Sequence, residues 1–184
     1  MSPNKIMIIR HAEKAEPGDG EQGVDRDGKN DDGSLTASGW RRAQALVNFF
    51  ANPSAAHIAR PDYLFAANPN VDSKRPLETV SPLAECLWPP SGLSPRCDAT
   101  HNQDDLKGLV AAVTAKDGTV LICWEHKRIP GIVSCLPNAP KMPEKWPGDR
   151  FDVVWVLDAA NGGWLFNQVP QNLLPGDADT TISK

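Results

Sequence analysis

Two short apolar runs constrain this chain more than anything else in it. Ile6-Met7-Ile8-Ile9 and Val120-Leu121-Ile122-Cys123-Trp124 are both rich in β-formers. Both stop abruptly on charged residues, Arg10-His11 in one case and Glu125-His126 in the other. Neither alternates apolar with polar residues, so each predicts a strand covered on both faces, with a layer of structure on either side. In open parallel α/β sheets, ligands bind beyond the carboxyl ends of the strands. A single strand ending on a charged pair reads as an ordinary solvated loop. Two strands that each deliver a histidine to the same edge would bring the imidazoles together.

The rest of the chain supplies the layers. After Lys14 comes a polar loop over 15–34, rich in glycine and aspartate, which predicts a flexible, exposed segment that is either a lid over Arg10-His11 or a solvated linker. Asp25, Asp27 and Asp31 lack the glycine and closing glutamate of a calcium loop. Thr36 reads as an N-cap, and Trp40, Ala43, Leu46, Val47 and Phe50 then fall on one helix face, with Arg41, Arg42 and Gln44 outward. Tyr63-Leu64-Phe65-Ala66-Ala67 predicts a strand. Ser73-Lys74-Arg75-Pro76 begins a helix with proline in its first turn, which sets Arg75 among N–H groups that favour an anion. The stretch 88–100 is proline-rich and irregular, with a brief strand near Arg96-Cys97-Asp98. A helix over Asp104 to Ala115 precedes the His126 strand, and another begins after Lys127. Phe151 to Asp158 and Trp164 to Val169 predict a hairpin about Asn161-Gly162-Gly163, and the tail over 174–184 is expected to be exposed and partly ordered. The order points to an α/β fold, a three-layer α/β/α sandwich with a mostly parallel central sheet and an antiparallel edge.

Composition narrows the function. A chain of 184 residues suits one domain, 1–184. A net charge of −4 gives no support for a nucleic-acid or anionic-membrane partner, so any anion site must be a local concentration of positive charge. No apolar window is long enough to span a bilayer, and the N-terminal segment does not read as a signal peptide. Cys86, Cys97, Cys123 and Cys135 show no zinc-ligand spacing, and reduced thiols in a cytoplasmic protein are the expectation.

The motifs resemble, in order, those of the histidine phosphatase (phosphoglycerate mutase-like) superfamily. Arg10-His11-Ala12 stands where that family has Arg-His-Gly closing the first strand. Leu35-Thr36-Ala37-Ser38-Gly39 opens the first helix, Ser73-Lys74-Arg75-Pro76-Leu77-Glu78-Thr79 carries a second arginine, and His126 follows a late apolar strand. Together they span about three quarters of the chain. Ala12 for glycine is a departure, tolerable unless that backbone needs a positive φ.

The resemblance implies a compact phosphatase without metal or cofactor. His11 would attack phosphorus and be transiently phosphorylated, Arg10 and Arg75 would clamp phosphoryl oxygens, and His126 would donate hydrogen bonds to the same group. Lys14 and Lys127 lie beside this cluster in sequence and extend it, and Glu13 is placed with them at the substrate. The substrate is then a small phosphorylated molecule or a phosphoprotein. A phosphoglycerate-type mutase and a phospholigand-binding module without turnover are the alternatives. A metal site of His11, His126, Glu13 and Glu125 is disfavoured by the neighbouring cations and by strand alternation, which should turn Glu125 away from His126. The acid that would protonate a leaving oxygen is open among Glu85, Asp98, Asp104 and Asp105, with His101 and His57 read as surface residues. The substrate and the oligomeric state are not encoded in any of these motifs.

Overall fold

The apolar run after Asn4 forms the strand it predicts. In the computed structural model, which describes residues 2–18, 20–89 and 95–183, β1 spans Lys5–Arg10 and lies inside a six-stranded sheet. The strands β2 (Tyr63–Ala66), β3 (Cys97–Asp98) and β4 (Thr119–Trp124) run parallel to it. β5 (Val153–Ala160) runs against β1 and pairs with β6 (Gly163–Pro170). The order across the sheet is β3-β2-β4-β1-β5-β6, a mostly parallel sheet finished by an antiparallel hairpin. Asn161 and Gly162, with φ of 49° and 78°, make the two-residue turn of that hairpin, the left-handed pair that matches the twist of the flanking strands.

Alternation along β1 shows why both faces must be covered. Ile6 and Ile8 pack with Leu109 and Val113 of α3 (Leu106–Thr114) and with Ile129 and Ile132 of α4 (Ile129–Ser134). Met7 and Ile9 point the other way, into Leu46 and Phe50 of α1 (Ala37–Ala51) and Val80, Leu83 and Ala84 of α2 (Arg75–Leu87). All four β1 side chains are fully buried, each contributing about 1.5–3 kcal/mol of burial. The result is the three-layer sandwich.

Local chemistry sets the entry of α1. The Thr36 hydroxyl caps it by accepting from Gly39 N. A Cβ at Gly39 would stand 2.4 Å from the Glu13 carbonyl oxygen, so glycine lets the helix start press against the chain leaving β1. Thr36 N–H donates to that same carbonyl at 3.0 Å. Ala43, Leu46 and Phe50 are buried as their spacing predicts, but Arg42, expected on the outer face, is only 3% exposed. The side chains of Glu13, Gln171 and Asp177 close over it.

Two segments differ from their sequence reading. The loop over 15–34, read as flexible, is tied down at many points outside Asp19, which lies outside the described residues. Asp25 and Asp31 accept from backbone N–H groups of Lys29 and Gly33, Val24 N–H bonds Leu35 O, and Lys74 pairs with Asp31. The aspartates that look like solvating groups are turn-formers. The tail, read as exposed, is also held. Ala178 N–H donates to Asp152, Ile182 N–H to Gln168, and the Ile182 side chain is buried. Of the stretch read as irregular over 88–100, residues 90–94 lie outside the described residues.

Candidate active site

Register builds the site. β1 and β4 pair with Arg10 opposite Trp124, and the His11 N–H continues the ladder by donating to Trp124 O at 3.0 Å. The residues that follow each strand, His11 on one and Glu125-His126 on the other, therefore emerge side by side. Arg75, the first residue of α2, faces them. His11, Arg10, Arg75, His126, Lys14 and Lys127 line a single cavity of about 600 Å³.

His11 is 3% exposed. Its Nδ1 lies 2.7 Å from the carbonyl oxygen of Ala12; a carbonyl only accepts, so the hydrogen sits on Nδ1 and Nε2 keeps its lone pair. Burial pushes the pKa down to about 3, and the Arg10 charge adds to it. The Ala12 hydrogen bond acts in the opposite sense, and Arg75 and His126 lower it further. Burial and the neighbouring positive charge thus favour the neutral imidazole, with Nε2 carrying its lone pair.

Ala12 sits where close packing matters. It is fully buried beside Leu35 and Ala43, and it is absent from the described non-glycine residues with positive φ. A methyl group is therefore accommodated without backbone strain. Its N–H donates to Thr79 Oγ1 at 2.9 Å, and that hydroxyl donates to Arg75 O at 2.7 Å. The relay locks the end of β1 to the first turn of α2.

The two arginines are fixed by main chain and by stacking. Arg10 is 1% exposed. Its Nη1 donates to Gly148 O, and its guanidinium lies over the Phe151 ring, 3.6 Å from the centroid. Burial lowers its pKa to about 10 although Glu125, Glu16 and Glu13 oppose the shift, and it remains charged at neutral pH. Arg75 gives Nη1 to Asp32 O at 2.8 Å and Nη2 to Asp72 O at 3.2 Å. The loop that holds it is clasped in turn by Glu78, which accepts from Ser34 Oγ and Leu35 N. Arg10 Nε and Nη2 and Arg75 Nε are buried with no hydrogen-bond partner in the protein.

Glu125 stands where alternation did not place it. β4 ends at Trp124, so Glu125 and His126 lie in the following turn, and Glu125 Oε1 is 2.9 Å from His126 Nδ1. His126 Nδ1 is buried and has no hydrogen-bond partner beyond this close contact. Burial works against the Glu125 charge, but the His126 contact and the Lys127 N–H outweigh it and hold the carboxyl below its usual range.

Glu13, expected beside the substrate, turns away from this cavity to Arg42. Its Oε1 accepts from Arg42 Nε and Nη2 at 2.9 and 2.7 Å, and it does not line the cavity. None of the four acid candidates lines it either. Glu85 pairs with Arg26, Asp98 accepts from Thr100, Asp104 pairs with Arg128, and Asp105 caps α3. The carboxylates that do line it are Glu16, Asp72 and Glu125. Sequence reasoning missed Phe151 and Gly148 because β5 begins at the edge where β1 ends, a direction that periodicity does not reveal. Among the described residues, no group of three or more His, Cys, Asp or Glu side chains is arranged to hold a metal ion. No helix among them is long and apolar enough to cross a membrane.

No protein-family model matches this chain, and no curated protein matches it. Solved structures do. The protein histidine phosphatase SixA complexed with tungstate is 14% identical, with 91% of this chain and 97% of that one covered at a TM-score of 0.51. A protein assigned as an alpha-ribazole-5'-P phosphatase from Escherichia coli K-12 is 12% identical, with 90% and 96% covered at 0.55. One assigned as phosphohistidine phosphatase SixA from Nakamurella multipartitia is 20% identical, with 89% and 93% covered at 0.50. At these identities the likeness establishes a shared fold.

Proposed function

We propose that this chain is a histidine phosphatase that moves a phosphoryl group from its substrate to His11 Nε2 and then to water, using neither metal nor cofactor. One observation carries the reading: a neutral, buried nucleophile shares its cavity with arginine N–H donors that have no acceptor in the protein. A buried donor without an acceptor costs about 1–3 kcal/mol, and the oxygens of a bound phosphoryl group would satisfy it. Phosphoryl transfer asks a protein chiefly for positioning and for stabilisation of spread negative charge, and this cavity offers both. The fold shared with phosphatases supports the same reading, as does the order of motifs in the sequence.

Hydrolysis is favoured over mutase chemistry because α2 continues from Arg75 to Leu87 without an insertion that would cover the intermediate. The similar structures are described as acting on protein phosphohistidine and on a ribazole phosphate, so the substrate here is a phosphoprotein or a small phosphorylated molecule. A cytoplasmic, single-domain protein belongs to this reading. The test is a phosphoenzyme trap. Brief exposure to a labelled phosphate donor, quenched cold without acid, should leave acid-labile, alkali-stable label on the peptide carrying Arg10-His11-Ala12. Label on His126 in the native protein would exchange the two roles, and turnover that is lost on chelation without any label would overturn the reading.

The arginines should matter unequally with the lysines. Arg75→Ala removes a half-buried guanidinium whose Nε has no partner in the protein, and a charge-assisted contact is worth roughly 1.5–3 kcal/mol, so turnover should fall by about 10–100-fold. Lys14 is already paired with Glu16 at 2.6 Å on the cavity rim, and Lys14→Ala should cost far less. Equal, slight losses measured as kcat/KM would remove Arg75 from the phosphate site.

A further inference from the structure

We infer that Glu125 is the proton donor and acceptor of this reaction, giving its proton to the leaving oxygen in the first step and taking one from water in the second. The inference rests on the phosphatase reading and assigns the acid that the sequence left open. Glu16 and Asp72 are the other carboxylates lining the cavity. Glu16 is held by Lys14 at the rim, and Asp72 is exposed and lends its carbonyl to Arg75. Glu125 alone among them is largely withdrawn from solvent, with 19% of its side chain exposed, and it lies 2.9 Å from His126 Nδ1 and within electrostatic reach of Arg10.

The surroundings suit a group that changes protonation during the cycle. In the free protein the cationic neighbours keep Glu125 ionised. A phosphoryl dianion clamped by Arg10 and Arg75 brings like charge into the same cavity and raises the carboxyl's affinity for a proton. Glu125 Oε1 lies 2.9 Å from His126 Nδ1, and both residues line the cavity that would hold the phosphoryl group. In the first step the His11 Nε2–P bond forms, the P–O bond to the leaving group breaks, and the Glu125 proton passes to that oxygen. In the second, water oxygen bonds phosphorus and its proton passes to Glu125. The P–N bond then breaks and His11 leaves as the neutral imidazole. Orthophosphate departs and Glu125 releases its proton to solvent, which restores the ionised carboxylate of the free protein. The proton given in the first step is taken up from solvent when the dianion binds.

The experiment compares Glu125→Gln with the wild type on a series of phosphomonoesters, from p-nitrophenyl phosphate to an alkyl phosphate. General acid catalysis contributes about 10²–10⁴-fold, so kcat/KM for the alkyl ester should fall by that factor. The p-nitrophenyl ester, whose oxygen leaves unaided, should change little. Inhibition by orthophosphate should be retained, which reports an intact pocket. Glu125→Asp, which keeps an ionisable carboxyl, should preserve the wild-type dependence on the leaving group. An equal loss across the series would overturn the assignment and make Glu125 a positioning residue for His126. Wild-type protein that hydrolyses only the aryl ester would overturn it too, since no donor is then at work. Failure of the phosphatase reading looks different: neither ester turns over and His11 takes no label, and the assignment falls with it.

Discussion

His11→Ala is expected to lower kcat by at least about 10⁴-fold and to leave no trappable phosphoenzyme, because removing a covalent nucleophile eliminates the two-step route itself. The variant should fold. It deletes a buried imidazole whose main tie is one hydrogen bond to the adjacent carbonyl, and a retained melting temperature would show that the loss is chemical. His126→Ala should behave differently, slowing labelling without moving the label. Substantial turnover in His11→Ala would mean that another group attacks phosphorus.

The second large effect is on stability. In Arg42→Ala, Glu13 and Asp177 lose the guanidinium that both contact, with Arg42 Nη2 at 2.7 Å from one and 2.6 Å from the other. Removing one partner of a buried ion cluster costs about 3–5 kcal/mol, because the remaining charges stay desolvated and repel. Urea denaturation should show that loss at neutral pH. The pH dependence follows from Asp177. Burial alone would raise its pKa, but the Arg42 contact and the Leu173 and Leu174 N–H groups outweigh burial and lower it. A carboxyl whose folded pKa is depressed stabilises the fold above its unfolded value, and this contribution is lost as pH falls through the folded value. The gap between wild type and Arg42→Ala should therefore be wide at pH 7 and narrow below about pH 4. A gap that does not change with pH would show that Arg42 acts by packing its stem.

The histidine edge was legible in sequence because four-residue apolar runs leave few alternatives to a doubly covered strand, and a run of that kind fixes where the chain must turn. The cap at Thr36 and the turn at Asn161-Gly162 were legible for the same local reason. What escaped was non-local. Arg42 reads as a surface residue on any helical wheel, and only the tail, folded back from far along the chain, buries it. Glu125 was turned the wrong way by carrying strand alternation one residue past the strand. The loop over 15–34 looked mobile because aspartate and glycine serve solvation and tight turns alike, and composition does not separate the two. Glu13 reads as a site residue from its place beside His11, yet its side chain turns to Arg42, because chain neighbours beyond a strand end can diverge at once.

The strand order has a consequence in time as well as in space. β1 is made first, yet its two sheet neighbours begin at Thr119 and Val153. At roughly 5–20 residues per second of synthesis, Ile6 to Ile9 wait on the order of ten seconds for a strand to lie against. During that wait the nascent chain carries its most apolar segment unpaired, a risk for misassociation that the finished protein no longer shows. His11 follows this segment directly, so the meeting of the two histidine-bearing strand ends and the protection of the early chain arrive together, when β4 and then β5 close over β1.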